Sequence, residues 1–459
     1  MTISNTPSQE IQRIIASQRA LFRSGATLDL KFRRMQLERL QTALERWEQP
    51  LAEALWLDLH KSYEEAYMTE LGIVRSEIRT HLKQLKRWAR PERVASPLKL
   101  FPSQSRLVTE PLGSALIIAP WNYPVQLLLN PLVGAISAGC TALLKPSPYV
   151  PHTARVLEEL IRATFDESHI ALVQGNREVN QQLLDERFDC IFFTGSPALG
   201  RRVMEAAAKH LTPVILELGG KSPCIVDRDA DLEVAARRIA WGKSLNAGQT
   251  CIAPDYLLLH EAVREAFLQQ LEKAFRELLG EDPKQSRHFA RIVHERAFDR
   301  LVGYLGEGQI RFGGRTDRTE RYIEPTVLEG VSANDAVMQE EIFGPILPVV
   351  SFRAIDEAIR HITAREKPLA LYYFGRENRH KVLRECSSGG ACINDTIMQI
   401  ANERLPFGGV GASGMGRYHG EESYLAFSHR RAVVSTTTHF DLPLRYMPYK
   451  LFRWIKGVL

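Results

Sequence analysis

Apolar residues recur every three or four positions along residues 8–88, as at Leu37, Leu40 and Leu44. This spacing puts apolar side chains on one face of a helix, so it predicts several amphipathic helices in this part of the chain. Residues 98–102 are then marked by proline, and residues 101–111 continue no helical period. We expect this second piece to be an extended arm that does not belong to the core.

From residue 112 onward, short apolar runs alternate with stretches of helical period, as is typical of parallel sheets with crossover helices. A second series follows residue 220, without a fixed-period repeat. The first series predicts strands at 115–118, 141–144, 170–173, 190–193 and 214–216. The second predicts strands at 223–226, 256–259, 347–350, 369–373 and 391–393, with helices that include 262–279 and 355–363. The pattern therefore predicts an α/β fold with two doubly wound α/β domains.

Composition narrows the class of protein. The chain has 459 residues, of which 44% are hydrophobic and 25% charged, as in soluble globular proteins with more than one core. A net charge of +5 is small for this length, and the basic stretch at 83–93 fits a solvated helix face, so we expect no nucleic acid partner. The six cysteines are scattered without zinc-like spacing, which indicates no metal site and a cytoplasmic setting. Residues 1–7 lack the features of a secretory signal, and no apolar run could span a bilayer.

A polar, glycine-bearing turn at residues 244–251 ends in Cys251, between an apolar helical run and a predicted strand. Thiolate is strongly nucleophilic, and a free thiol with a pKa of roughly 8.5 needs only modest local help to react. The alternative is a buried cysteine that acts as a small hydrophobic residue. Cys251 is the candidate nucleophile of the chain.

Glu217 lies at the end of an apolar strand, just before a pair of glycines. Partial desolvation there would raise the pKa of its carboxyl group and suit it to general-base work, although an ion-paired strand-end carboxylate is the ordinary alternative. Asn122 follows the first predicted strand, where its amide could donate to a developing oxyanion or could simply cap a helix.

The turn at residues 193–200 lies between a predicted strand and a predicted helix at 201–211. Backbone amides and a helix N-terminus bind phosphate in this context. Gly195 and Gly200 are five residues apart and do not form a GxGxxG motif, so a purely structural turn stays open.

Six motifs follow one another along nearly the whole chain, at residues 120–124 (PWNYP), 193–196 (FTGS), 216–223 (LELGGKSP), 248–251 (GQTC), 340–345 (EEIFGP) and 406–411 (PFGGVG). Together they resemble the aldehyde dehydrogenase superfamily, and six motifs in the right order are far more specific than any one of them. The short N-terminus, residues 204–213 and the ending at 445–449 are most similar to the class 3, fatty-aldehyde branch.

The resemblance implies an aldehyde dehydrogenase-like fold with a division into domains. A dinucleotide-binding domain would take residues 1–100 and 112–218, and a catalytic domain residues 219–402. A small β-arm for oligomerisation and a C-terminal tail would take residues 101–111 and 403–459. A homodimer is implied too, with the arm and the strand near Val433 at its interface.

The resemblance also implies a reaction. Cys251 would attack an aldehyde carbonyl, and the oxyanion would be held by the Asn122 side chain and the Cys251 backbone amide. Hydride would pass to the nicotinamide, and Glu217 would activate the water that releases a carboxylic acid.

Medium or long aliphatic, aromatic and polyene aldehydes are the implied substrates, and residues such as Tyr123 and Trp241 would suit a pocket for them. A CoA-acylating enzyme is an alternative, but such enzymes typically lack the glutamate found here as Glu217; a non-enzymatic cofactor-binding role is the other.

For the cofactor, NAD and possibly NADP, the resemblance implies a set of contacts. They are Lys145 at the adenine ribose, Gly195, Ser196 and Gly200 by the pyrophosphate, Glu341 at the nicotinamide ribose, Phe343 beside the nicotinamide, and Pro120, Trp121 and Leu218 in the same site. Many branch members carry a glutamate three residues after the lysine, where this chain has Pro148. No carboxylate would then repel a 2′-phosphate, so we expect NADP to be tolerated alongside NAD.

The end of the chain, residues 449–459, interleaves apolar and basic residues. We expect it to cap the substrate entrance or a partner subunit. A weak interfacial contact with a membrane is the alternative.

Overall fold

The computed structural model describes residues 3–441, 446–449, 452–453 and 456. In that part of the chain the α-helices are α1 (Ser8–Arg23), α2 (Leu30–Arg46), α3 (Glu48–Leu59), α4 (Tyr63–Ala66), α5 (Gly72–Trp88), α6 (Gln126–Ala138), α7 (Pro151–Thr164), α8 (Arg177–Asp185), α9 (Pro197–Ala208), α10 (Leu232–Ser244), α11 (Arg264–Leu279), α12 (Glu295–Tyr304), α13 (Ala336–Gln339), α14 (Ile355–Thr363), α15 (Arg379–Glu385) and α16 (Glu421–Ala426). The predicted helical N-terminal region is confirmed, and Leu37, Leu40 and Leu44 are fully buried.

The strands of the same described ranges are β1 (Glu92–Val94), β2 (Gln104–Pro111), β3 (Ser114–Ile118), β4 (Thr141–Lys145), β5 (Ile170–Leu172), β6 (Cys190–Gly195), β7 (Val214–Leu218), β8 (Pro223–Val226), β9 (Tyr256–His260), β10 (Gln309–Phe312), β11 (Thr316–Asp317), β12 (Tyr322–Ile323), β13 (Thr326–Glu329), β14 (Ile346–Phe352), β15 (Ala370–Phe374), β16 (Gly390–Ile393), β17 (Gly414–Met415) and β18 (Ser428–Ser435). All ten strands predicted from the apolar runs are present, with ends that differ by at most two residues.

The first large sheet has the order β17-β7-β6-β3-β4-β5, and the five strands from β7 to β5 are parallel. The chain runs outward from β3 to β5 and then returns to β6 and β7 on the other side of β3. The order therefore reverses at β3, and the crevice at the carboxyl ends of β3 and β6 is where such sheets bind ligands. Strands β3 and β4 are buried along their whole length, as expected for a sheet covered on both faces.

The second large sheet has the order β10-β13-β14-β9-β8-β15-β16, parallel except for β10. It confirms the second series of alternating strands and helices, and the α/β class with it. Strands β10 and β13 were not predicted from the sequence. Three of the four β10 residues are exposed, and β13 has an apolar run of only two residues, so neither has the pattern of a buried strand.

A third, three-stranded antiparallel sheet has the order β1-β2-β18. It confirms that residues 104–111 of the predicted arm are extended, and it pairs them with the strand near Val433, which the sequence did not indicate. It also includes Glu92–Val94, which the predicted division gave to the dinucleotide-binding domain. The division into domains otherwise stays a prediction.

The helix predicted at 201–211 was wrong at both ends. Ser196 caps α9 through its side chain and Pro197 takes the first helical position, so the helix begins four residues earlier than predicted. It ends at Ala208, and Leu211 has a positive φ of 55° that no α-helix accommodates.

Within the described residues, no helix is both long enough and apolar enough to cross a bilayer. The tail predicted at 449–459 lies outside the described residues except for positions 449, 452, 453 and 456.

Candidate active site

Cys251 follows α10 and a short turn at Leu245–Gly248 that two left-handed residues bend sharply. Asn246 and Ala247 have φ values of 50° and 51°, which are uncommon for residues with a Cβ. Glu65 accepts a hydrogen bond from the Asn246 amide nitrogen at 2.7 Å and so helps to hold this backbone. The turn is thus fixed by a contact from the N-terminal helical region, 181 residues away in sequence.

The side chain of Gln249 holds the other end of the same turn. Its Nε2 donates to the Arg291 carbonyl oxygen at 3.0 Å, and its Oε1 accepts from the Val293 amide at 3.0 Å. Gln249 is fully buried, so these bonds compensate for the loss of water around its amide group. The cysteine is therefore presented by a rigid turn.

Glu217 is the next-to-last residue of β7, lies beside the cysteine and is only 2% exposed. Its Oε1 accepts a hydrogen bond from Cys251 Sγ at 3.4 Å. Its Oε2 accepts from Thr194 Oγ1 at 3.2 Å and from the Tyr418 hydroxyl at 3.5 Å. All three partners are neutral hydrogen-bond donors, which favours the general-base interpretation over the ion-paired alternative.

Burial sets the protonation of this pair. Desolvation raises the pKa of Glu217 to about 7, although the hydrogen bonds from Cys251, Thr194 and Tyr418 lower it in part. Desolvation, with the nearby charges of Glu217 and Glu341, raises the pKa of the Cys251 thiol well above its usual range. The thiol is therefore protonated at rest, and the carboxylate is the adjacent group that can take its proton.

Asn122 lies just after β3, close to the cysteine turn. Its side-chain Nδ2 donates to the Gln249 carbonyl oxygen at 3.1 Å, and the residue is 2% exposed. The helix-cap alternative is wrong, because α6 begins at Gln126 and Val125 takes its cap position. An amide nitrogen has two hydrogens, so one of them stays available for an oxyanion beside the thiol.

The residues predicted to contact a cofactor pyrophosphate and adenine ribose lie at the carboxyl ends of β4 and β6. Lys145 ends β4, is 1% exposed and donates to the Pro146 carbonyl oxygen at 2.7 Å, and desolvation lowers its pKa to about 8. Gly195 ends β6 and Ser196 caps α9. A Cβ at Gly200 would lie 2.7 Å from Leu218, so glycine lets α9 approach β7 closely.

Two further cofactor candidates, Glu341 and Phe343, lie between α13 and β14. The Glu341 carboxylate lies over Gly219, where an added Cβ would be 2.0 Å from its Oε2. Desolvation and nearby Asp255 raise the pKa of Glu341 to about 8. Phe343 has a positive φ of 52°, and its ring packs edge-to-face on Trp121 with centroids 5.3 Å apart. Trp121 and its neighbour Pro120 follow β3, so Phe343 packs against the segment that leaves the carboxyl end of this strand.

A cavity of about 440 Å³ reaches Cys251 and Glu217. Most of its wall is apolar, with Met68, Ile73, Leu127, Trp241, Met398 and Ile400 among the lining residues. Tyr123 lines it too, and its hydroxyl lies 2.6 Å from Thr250 Oγ1. The cavity suits an apolar molecule whose reactive end meets the thiol.

Sequence reasoning missed several side chains of this site. Thr194 was part of a quoted motif but had no role, and Tyr418 lies in a glycine-dense loop with no pattern of its own. Lys61, Glu65 and Glu70 lie in the helical N-terminal region, where nothing distinguished them from surface charges. They are nevertheless buried, and only long-range contacts reveal their place in the site. No group of three or more potential metal ligands is found in the part of the chain that the structure describes.

Comparison with known proteins defines the class. The family model "Aldehyde dehydrogenase family" matches residues 1–433, and the chain belongs to this family. The chain is accordingly an enzyme that oxidises aldehydes to carboxylic acids with NAD or NADP.

Individual relatives narrow the comparison. The 4,4'-diaponeurosporen-aldehyde dehydrogenase of Staphylococcus aureus is 47% identical over 452 residues, which cover 97% of this chain and 98% of that protein. Aldehyde dehydrogenase family 3 member B1 of Homo sapiens is 46% identical over 434 residues, covering 94% and 93%, and it confirms the class 3 branch. The dimeric NADP-preferring aldehyde dehydrogenase of Rattus norvegicus is 46% identical over 426 residues, covering 92% and 94%.

Among solved structures, the substrate-bound state of Staphylococcus aureus AldH superposes with a TM-score of 0.96 at 47% identity. The match covers 97% of this chain and 99% of that one. The predicted aldehyde dehydrogenase-like fold is confirmed.

Proposed function

We propose that Cys251, Glu217 and Asn122 carry the oxidation as nucleophile, general base and oxyanion-binding amide. The 3.4 Å contact between Cys251 Sγ and Glu217 Oε1 is the observation that carries this proposal. Glu217 takes the thiol proton as sulfur bonds to the carbonyl carbon, and the carbonyl oxygen becomes an oxyanion. The Asn122 Nδ2 hydrogen and the Cys251 backbone amide then donate to that oxyanion.

The second half of the reaction uses the same carboxylate, after Glu217 has released the thiol proton to solvent. Once the acyl group is a thioester of Cys251, Glu217 takes a proton from water while the hydroxide oxygen bonds to the acyl carbon and the thiolate leaves. A pKa of about 7 suits this work, because a base is most effective when its pKa lies near the working pH.

The residues at the crevice fit a dinucleotide. Gly200 allows close packing of α9 on β7, Ser196 begins that helix, and Gly219 leaves room beside the Glu341 carboxylate. We propose that these residues hold the cofactor with Lys145, Gly195, Leu218, Phe343, Pro120 and Trp121. When bound, the nicotinamide supplies the hydride acceptor.

We further propose that NADP is accepted alongside NAD. Pro148 offers no carboxylate near the predicted ribose site, and the relative from Rattus norvegicus is named NADP-preferring. Kinetics with both cofactors under equal conditions test the idea, and strict use of NAD would overturn it.

The preferred substrates are proposed to be medium or long aliphatic, aromatic or polyene aldehydes. The apolar wall of the cavity supports this, and the relative from Staphylococcus aureus is named for a long polyene aldehyde. The test measures reduced-nicotinamide formation with decanal and with benzaldehyde, beside a Cys251→Ala control. Turnover by the wild-type protein that is absent in the Cys251→Ala control supports the proposal. A wild-type protein that forms no reduced nicotinamide with either aldehyde contradicts it.

We also propose a cytoplasmic homodimer that pairs through the sheet β1-β2-β18. Val434 is 57% exposed on this sheet, and the relative from Rattus norvegicus is named dimeric. Val434→Asp should then shift the sedimentation coefficient to that of a monomer.

Any membrane contact of the tail is tested by liposome flotation of the full chain and of a chain without residues 449–459. Equal flotation of the two chains would contradict a membrane contact.

A further inference from the structure

A buried ion pair lies directly behind the active-site asparagine. Lys61 and Glu70 are both fully buried, and Lys61 Nζ lies 2.5 Å from Glu70 Oε1. The same ammonium group donates to the Asn122 carbonyl oxygen at 3.1 Å and lies 4.2 Å from the centre of the Tyr123 ring. The pair thus touches the backbone of the residue whose side chain donates to the cysteine turn at Gln249.

The other carboxylate oxygen holds the next residues of the same segment. Glu70 Oε2 accepts hydrogen bonds from the Val125 amide at 2.8 Å and the Gln126 amide at 3.3 Å, where α6 begins. Lys61 and Glu70 therefore hold the chain on both sides of residues 123–124. Since each ion is satisfied by backbone groups as well as by its partner, the pair has one geometry rather than several.

Asn122 has a second donor on its carbonyl oxygen, Asn246 Nδ2 at 2.8 Å. With Lys61, both lone pairs of this oxygen are used, which fixes the plane of the peptide after Asn122. Fixing that plane restrains the backbone of Asn122, whose side-chain amide donates to the Gln249 carbonyl oxygen two residues before Cys251. Ion pairs in a protein interior gain little stability over apolar residues of similar volume, so a role in geometry explains this one better.

We infer that Lys61 is a positioning residue for the oxyanion-binding amide of Asn122, with Glu70 orienting the Lys61 ammonium group. This inference rests on the proposed role of Asn122. Lys61 touches neither substrate nor thiol, and it acts by fixing the direction in which Asn122 donates. Misplacing a catalytic donor by about 1 Å can cost on the order of a hundredfold in rate, so the effect is measurable.

The test is a double-mutant cycle on benzaldehyde oxidation. Lys61→Met is expected to lower kcat about thirtyfold and to change KM less than about twofold. The oxyanion is present in the transition state and absent from the bound aldehyde, so a misdirected Asn122 amide weakens binding of the transition state and not of the substrate. In an Asn122→Ala background the same substitution should change kcat less than about twofold. Lys61→Gln, which keeps an uncharged donor, should recover most of the loss. Lys61→Gln should lower kcat only about threefold, and this loss should also vanish in the Asn122→Ala background. The cycle therefore stays informative if Lys61→Met does not fold.

A second readout separates Asn122 from the cysteine turn. Alkylation of Cys251 by iodoacetamide forms no oxyanion, so its rate should be the same in Lys61→Met and wild type. Equal losses of kcat in both backgrounds, or slowed alkylation, would overturn the positioning role. Asn122→Ala with wild-type kcat would instead overturn the proposed role of Asn122 itself, so the two failures are distinguishable.

Discussion

Glu217→Gln tests the proposed general base, since glutamine keeps the shape and an accepting oxygen but cannot take a proton. A positioned base contributes about 10²–10⁴-fold, so kcat should fall at least about a hundredfold. Burial raises the pKa of Glu217 to about 7. A carboxyl group of that pKa is ionised in only about one molecule in eleven at pH 6. The wild-type kcat should therefore fall about tenfold from its high-pH plateau to pH 6. The kcat of the Glu217→Gln variant should not show this decrease with falling pH.

Stopped-flow absorbance of reduced nicotinamide measures both halves of the reaction. If Glu217 acts mainly on water, the variant keeps a burst of about one equivalent per site and then turns over slowly. Glu281→Gln, at an exposed glutamate, is the matched control and should behave as wild type. A variant with wild-type kcat would refute the reasoning. A first turnover slowed as much as the steady state would assign the carboxylate to thiol activation alone.

Two further predictions concern the nucleophile and the cofactor site. Cys251→Ala should abolish turnover and keep cofactor binding, measured by fluorescence quenching, whereas Cys386→Ala, at a buried cysteine, should keep both. Loss of activity in both variants would contradict the assignment. Gly219→Ala should raise the cofactor dissociation constant at least about tenfold in calorimetry, since its Cβ would lie 2.0 Å from the Glu341 carboxylate. Gly303→Ala, which meets no atom within 4 Å, is its control, and equal constants in both would count against a role for Glu341.

The sequence predicted those parts of the fold that have a local signature. Parallel strands buried on both faces are continuous apolar runs, so the interior strands of both large sheets could be found except β13, whose apolar run has only two residues. Strand β10 was not predicted because an edge strand does not need an apolar run. Strand β17 was not predicted because it has only two residues, and one of them is glycine, which has a low strand propensity. The left-handed backbone conformation of Asn246 and Ala247 could not be predicted either, since contacts from other segments stabilise it.

The chemistry of Glu217 shows why sequence alone could name the base without explaining its pKa. The strand end and the following glycines mark the position, but its burial comes from Thr194, Cys251 and Tyr418, which lie 23, 34 and 201 residues away. Strand β17 brings the last of these close by pairing antiparallel to β7, with Gly414 opposite Glu217.

Gly414 has a φ of 148°, and a Cβ there would lie 2.4 Å from the Leu216 carbonyl oxygen. Only glycine therefore lets this loop approach the strand closely enough to exclude water from the carboxylate. The glycine-dense loop, which resembles a mere connection in the sequence, is thus one of the causes of the raised pKa on which the proposed reaction depends.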